Sequence, residues 1–243
     1  MHEIRDDAKA TRRPDFADLA PEQWPTRCVV AEVKEDGIFV RVDIGMGVAT
    51  VWNRHGVQVE RIAVPTDMYC TLYGELLTST QRSKSDERYG CIVVFDCVSF
   101  QGVNLRTHEQ QHRRGLAKRA ISGIDGFELV RQFSDWQEAW AFVVDNDLEG
   151  LVFKDPRGMW GDAWMRMKQV FEVDAEVLDV EPKALITDHG RIPIYGAVRA
   201  EVAANPSAFI GRVVKARGNA ITDKGKLRHP RFGEWHMEKG RQS

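Results

Sequence analysis

The chain has no closely spaced pair of cysteines, no apolar run long enough to span a bilayer and no large excess of charge in either direction. Each absence removes a class of protein. Four isolated cysteines, Cys28, Cys70, Cys91 and Cys97, supply neither the paired thiols of a structural zinc site nor a disulfide framework, and are expected as reduced core residues. A membrane-spanning helix needs about 18 or more consecutive apolar residues, and none occurs. The opening MHEIRDDAKATRRPDF is charged where a signal peptide is apolar, so an intracellular, cytoplasmic protein without a membrane partner is expected. The formal net charge of -2 lacks the basic balance common among nucleic-acid-binding domains. That average hides an asymmetry: from Glu176 onward 12 Lys and Arg face 8 Asp and Glu, which favours that end for contact with a polyanion.

What is present is ordinary in composition, 43% hydrophobic and 29% charged over 243 residues, enough for one large or two modest domains. Up to about Trp24 the chain is polar and suits a loosely attached arm or short helix. From Cys28 the periodicity is that of strands: CVVAEV, IFVRV, VATVW, VQVERIAV, YCTLYGELLT and CIVVFDCVSF alternate or carry β-branched residues, with Gly, Asn or Asp between them. Two helices are predicted within this series, one over Glu109 to Ile121 and one after Ser134, where Ser134 to Gln137 fits a capping box. Strands resume at GLVFK and AWMRMKQV. Beyond Val170 come VDAEVLDVEP, IPIYGAVRAEV and IGRVVKARG, short strands with turn signals that fit a small closed barrel such as an OB-fold.

The stretch THEQQHRRG contains HExxH, which on a helix sets two histidines one turn apart for a zinc ion, with the Glu as base. A third ligand is missing, because Lys118 stands where one zincin subfamily places a further His. The competing account is a solvated, charged helix, and no zinc is expected.

Lys34 ends a strand in AEVKEDG, and alone it is a surface charge more often than a nucleophile. Its company is informative: YGEL at Tyr73, VFD at Val94, EGLVFK at Glu149 and WMRMK at Trp164 follow in order. This set resembles the covalent nucleotidyltransferases, the superfamily of ATP-dependent DNA ligases, RNA ligases and messenger-RNA capping enzymes. KEDG resembles their KxDG motif, EGLVFK their EGxVxK and RMK their KxK. The resemblance implies an α+β fold: a 1–24 arm, a 25–170 adenylation domain of ATP-grasp-like type with antiparallel sheets and flanking helices, and a 171–243 all-β OB-fold. It implies ATP and Mg²⁺ (or Mn²⁺) as cofactors, with Lys34 attacking the α-phosphorus to form lysyl-AMP. Lys154, Arg166 and Lys168 would lower the lysine pKa by like-charge repulsion and neutralise the phosphate. Glu75 and Glu149 would hold the metal, since a hard cation prefers carboxylate oxygens, or Glu75 would contact the ribose instead. Glu32, by side chain or backbone, would accept from adenine. Phe95 is either a stacking platform or a core aromatic. Arg54 matches an arginine that contacts phosphate.

The stretch FIGRVVKARGNAITDKGKLRHPRF looks like the end of the OB-domain of ATP-dependent DNA ligases, which favours a monomeric enzyme that seals nicked double-stranded DNA over an RNA ligase. Lys215, Arg217, Lys226, Arg228 and Arg231 would meet phosphates there, or else form a solvated basic face. Two departures stand out. Phe39 occupies the Arg position of KxDGxR, with Arg41 two residues on as a nucleic-acid contact on the same strand face. His236 in HMEK replaces the Arg of RxDK. A ligase-derived binding module with no catalysis is the alternative those departures suggest, and retention of Lys34, Glu75, Glu149, Lys154 and Lys168 argues against it.

Overall fold

The computed structural model describes residues 16–19, 29–78, 87–162, 164–222 and 224–236, so Cys28 and the segment 237–239 of the HMEK motif lie outside the described residues. The chain divides into two compact units between Met167 and Lys168. The first unit contains β1 (Phe16–Asp18), β2 (Val30–Lys34), β3 (Ile38–Gly45), β4 (Val48–Asn53), β5 (Gln58–Ala63), β6 (Cys70–Leu76), β7 (Ile92–Phe100) and β8 (Val103–Asn104). After helix α1 (Gln110–Ile121) come β9 (Phe127–Leu129), β10 (Gln132–Phe133), helix α2 (Trp136–Asp145), β11 (Gly150–Lys154) and β12 (Trp164–Lys168), the last reaching one residue past the division. Phe16–Asp18, within the expected arm, thus joins the fold as a strand.

Two sheets result. One has the order β5-β4-β3-β6-β7-β8 with β9 beside β7, and the other β1-β12-β11-β2-β10. Period-two alternation gives each sheet one apolar face. In β3, Val40, Val42 and Ile44 pack with Leu72, Val94 and Cys97 against Ala117, Ala120 and Ile121 of α1. That sends Phe39, Arg41 and Asp43 to the opposite face. In the smaller sheet Ala31, Leu151, Phe153 and Met167 pack on Ala139 and Val143 of α2. The cap of α2 is Asp135, one residue later than the expected Ser134, with its carboxylate accepting from the amides of Gln137 and Glu138. Asp is as good a cap as Ser, and the following amides are the orphans it satisfies.

Of the described cysteines, Cys70 and Cys97 are buried while Cys91 is half-buried. Burial pushes the Cys70 thiol up to about 12 and raises that of Cys97 as well. Thiolate is the reactive form, so Ellman's reagent at pH 8 is expected to titrate Cys91 well before Cys70 and Cys97 in the native protein. Immediate reaction of Cys70 or Cys97 would contradict their placement.

The second unit holds β13 (Phe171–Glu181), β14 (Ala184–Thr187), β15 (Gly190–Pro193), helix α3 (Gly196–Ala204), a 3-10 turn (Pro206–Phe209), β16 (Val213–Gly218), β17 (Ala220–Ile221), β18 (Leu227–Arg228) and β19 (Arg231–Trp235). It is not all-β: the expected strand IPIYGAVRAEV divides into β15 and α3. The alanines of Gly196–Ala204 are strong helix formers, and Val202 is buried with Phe209 and Ile194 in this unit's core. Five strands run in the order β15-β14-β13-β16-β19, and the outermost strands β15 and β19 approach each other. Among the described residues no helix is long and apolar enough to cross a membrane.

Candidate active site

Since Ala31 and Val33 of β2 are buried, with Ala31 on the α2 side, the alternate residues Glu32 and Lys34 face the other way. Antiparallel pairing sets Gly150 opposite Lys34 and Val152 opposite Glu32, which brings Glu149 to the end of β2. Lys34 Nζ donates to Glu149 Oε2 at 2.5 Å, with the two side chains 17% and 7% exposed. The sequence-predicted nucleophile and one predicted metal carboxylate are therefore in direct contact.

Lys154 lies on the same face. It is buried, forms an ion pair with Glu32 Oε2 at 2.5 Å and donates to the Phe95 carbonyl at 3.0 Å. Its ammonium stands 3.9 Å from the centroid of the Trp164 ring and 5.1 Å from that of Phe95. A buried ammonium persists only with such partners. Phe95 is half-buried and packs edge-on to Trp164 at 5.8 Å, so it bridges the two sheets and joins an aromatic cluster with Phe39, Tyr73 and Trp160.

The Glu32 side chain is engaged by protein donors. Besides Lys154, its Oε1 accepts from Gln110 Nε2 at 3.3 Å, Arg114 Nη1 at 3.0 Å and Gln132 Nε2 at 3.1 Å. Four donors from three elements thus meet this carboxylate, three on Oε1 and one on Oε2. None of these partners was singled out from the sequence, because Gln110, Arg114 and Gln132 resemble any polar surface residue until α1 and β10 are placed.

Gly37 brings the KEDG turn against β6. A Cβ at Gly37 would sit 2.7 Å from the Leu76 carbonyl oxygen and 3.3 Å from Glu75 Cβ, so only glycine permits the approach that sets Glu75 beside the turn after Lys34. In β12, Arg166 lies two residues from Trp164 and so on the same face, and the parallel register sets Asp18 beside it. The guanidinium donates from Nε and Nη2 to both Asp18 oxygens. This hydrogen-bonded pair, helped by the Glu149 charge, raises the Arg166 pKa above its ordinary value. Lys168 ends β12, half-buried, as the first residue of the second unit. Arg54 is exposed in the β4–β5 turn, donating to His55. Phe39 is 3% exposed and stacks on Tyr73 at 5.5 Å, a core role that accounts for its being no arginine. Arg41 pairs with Asp43 at 3.0 Å.

The HEQQH segment opens a helix that is solvated on one side, where Gln111, His112, Lys118 and Arg119 are exposed, and buried on the other, where Gln110, Arg113 and Ala117 lie. His108 precedes α1 and Glu109 is its N-cap, with extended backbone, so the histidines do not share a helical face; their rings stack at 5.3 Å. Arg113 is fully buried and donates from Nε and Nη2 to the buried Asp96 carboxylate at 2.8 and 2.9 Å, and from Nη1 to the carbonyls of His108 and Gly158. The helix is thus pinned to β7 through the Asp of VFD.

In the second unit the predicted phosphate contacts are mostly engaged in pairs. Lys215 meets Glu234 at 3.1 Å, Arg217 meets Glu172 at 2.9 Å and Lys226 donates to the Asp188 carbonyl at 2.7 Å. Arg228 is half-buried, which lowers its pKa, and Arg231 is exposed opposite Arg217. His236 stands 4.0 Å from Asp174. The face is a lattice of both signs, not a basic stripe.

No protein-family profile and no curated protein matches the sequence. Solved structures do match. One described as "DNA binding with a minimal scaffold: Structure-function analysis of Lig E DNA ligases" superposes with a TM-score of 0.69 at 17% identity, over 92% of this chain and 98% of that one. This chain has the fold of DNA ligases. The ligase domain of M. tuberculosis LigD matches at a TM-score of 0.53 and 15% identity, over 93% and 96% of the two chains. A chain named Pmar-Lig_PreS3 matches at 0.61 and 19%, over 85% of this chain, which spans 63% of that one. On this fold, one face of the smaller sheet gathers an amine held by a carboxylate, a buried ammonium and a guanidinium, an arrangement suited to phosphate chemistry.

Proposed function

We propose that the protein is an ATP-dependent DNA ligase that seals 5′-phosphate/3′-hydroxyl nicks in duplex DNA. The observation that carries this is the contact of Lys34 with Glu149 on a sheet face shared with Lys154 and Arg166. In the proposed first step Lys34 Nζ loses a proton, for which Glu149 Oε2 is an acceptor in reach, and attacks the α-phosphorus of ATP. A P–N bond forms as the P–O bond to pyrophosphate breaks, leaving AMP on the lysine. Lys154 and Arg166 hold positive charge on that face, where the phosphate charge develops. AMP then passes to the 5′-phosphate of the nick and is displaced by the 3′-hydroxyl.

Among the described residues no cluster of three or more His, Cys, Asp or Glu forms a protein-only metal cage. Glu75 and Glu149 would hold a Mg²⁺ ion, since a hard cation prefers carboxylate oxygens. When bound, such an ion aligns and neutralises the phosphates. The second unit is proposed to be an OB-fold, supported by its five-stranded order and the approach of β15 to β19. DNA is the favoured nucleic acid because of the DNA ligase neighbours and the LRHPRF ending of the second unit.

The test is joining of a nicked DNA duplex, a nicked duplex with RNA strands and single-stranded RNA ends, each with ATP and Mg²⁺. DNA sealing at the greatest rate is expected, and RNA joining without DNA joining would replace the reading with an RNA ligase. Binding to the nicked duplex is expected to weaken at least tenfold between 50 and 200 mM salt, since charge contacts to phosphate release counterions. Affinity that stays flat over that range would sink the phosphate-contact assignment of the second unit.

A further inference from the structure

Arg41, Trp52 and Tyr73 stand side by side on three neighbouring strands. In the register of β3, Arg41 is opposite Trp52 of β4 on one side and Tyr73 of β6 on the other, so all three share the face that carries Glu75. Each presents a buried polar atom, Arg41 Nε, Trp52 Nε1 and Tyr73 Oη, whose proton meets no acceptor among the described residues. Tyr73 is completely buried. One such atom is a small cost. Three on adjacent positions require an explanation, because buried polar groups are almost always satisfied.

Their chemistry names what is missing. An arginine Nε–H and an indole N–H are donors only, and burial raises the Tyr73 pKa so that its hydroxyl also keeps its proton at neutral pH. The common requirement is an acceptor oxygen. Its charge follows from the surroundings: Arg41 and Arg106 act on the phenol as cations, Arg106 as a hydrogen-bond donor to its oxygen, which leaves the phenolic O–H to donate elsewhere, and Asp43 is the carboxylate that pairs with Arg41. Asp43 is itself held by the Thr71 hydroxyl at 2.9 Å and pairs with Arg41 Nη2 at 3.0 Å, which anchors the guanidinium without engaging Nε. Arg41 also lies over the Trp52 ring at 5.4 Å.

We propose that Arg41, Trp52 and Tyr73 form a subsite for a phosphate oxygen of the substrate. This deepens the ligase reading and rests on it for the source of the phosphate, which is either the 5′-terminal phosphate of a nicked strand or the phosphate tail of a nucleotide. Both present the same oxygen to the same donors.

Tyr73→Phe and Trp52→Phe each delete one donor and keep most of the ring. Trp52→Phe removes a buried donor with no internal partner, so its urea midpoint is expected at or above the wild-type value, whereas Tyr73→Phe also removes an acceptor of Arg106 and is expected slightly below it. A lost hydrogen bond to a charged group corresponds to about tenfold or more in affinity. The experiment measures binding of wild type and both variants to a nicked duplex with a 5′-phosphate, to the same duplex with a 5′-hydroxyl, and to inorganic pyrophosphate. A loss of about tenfold confined to the 5′-phosphate duplex assigns the subsite to the strand end, and a loss confined to pyrophosphate assigns it to the nucleotide. Unchanged affinity for all three probes overturns the proposal. So does a lowered urea midpoint in both variants, which would show an internal partner, such as a buried water, holding the donors. Because no covalent step is needed, the binding series is repeated in Lys34→Ala, and a failure of lysine adenylation leaves its outcome intact.

Discussion

Lys34→Ala is expected to abolish transfer of label from α-labelled ATP to the protein, a band that wild type shows after denaturing electrophoresis in the presence of Mg²⁺. The effect is large because the substitution removes the atom to which AMP would be joined, not a group that assists it. Lys34→Arg should fail equally, since a guanidinium keeps its proton at any accessible pH and has no free amine pair. At an ordinary lysine pKa of about 10.4, roughly four amines in ten thousand are neutral at pH 7, so the reaction depends on neighbours that take the proton. Glu149, at 2.5 Å, is the acceptor already in contact. A labelled band that persists in Lys34→Ala would move the nucleophile elsewhere. Absence of a band from wild type would remove self-adenylation altogether and favour the ligase-derived binding module that the His236 departure suggests.

Arg113→Met should cost about 3–5 kcal/mol of stability, the range for removing one partner of a buried ion pair. The guanidinium is fully buried, donates twice to Asp96 and twice more to carbonyls of the loops on either side, and leaves an uncompensated carboxylate when it is lost. Against a total stability of about 5–15 kcal/mol that is a large fraction. The check is a urea titration read at the midpoint with the slope unchanged. Arg113→Met combined with Asp96→Asn should recover part of the loss, because the amide is neutral and its oxygen still accepts from the Cys97 amide, as Asp96 does at 2.8 Å. A single variant within 1 kcal/mol of wild type would show that the pair is not the anchor described.

The parts of the site that could be found from the sequence are those where one residue type and one period carry the information. Lys34 ends a strand whose side chains point alternately to two faces, EGLVFK does the same in its partner strand, and Gly37 marks a turn with no room for a side chain. What escaped was the set of contacts between segments distant in the chain. Arg113 looks like any helical surface charge, and its partner Asp96 is 17 residues upstream. The available signal was the reverse one, a lone aspartate inside the apolar strand VVFDCV, which a buried position forces to find a cation. Gln110, Arg114 and Gln132 gave no signal, because their common partner Glu32 is 78 to 100 residues away. Helix α3 was hidden by the β-rich IPIY that precedes it and by the valines within it, whose preference for strands was overridden by packing against Phe209 and Ile194.

Glu32 ties two regions that would otherwise be independent. One of its oxygens binds the buried lysine Lys154, and the other binds Gln110 and Arg114 on the first turns of α1. A close-packed interior does not stretch, so displacement of that helix cannot be absorbed locally. The helix and the buried charge therefore respond as one mechanical body: a contact on the outer surface of α1 that moved it would be registered at Lys154 as a change in how firmly its positive charge is held.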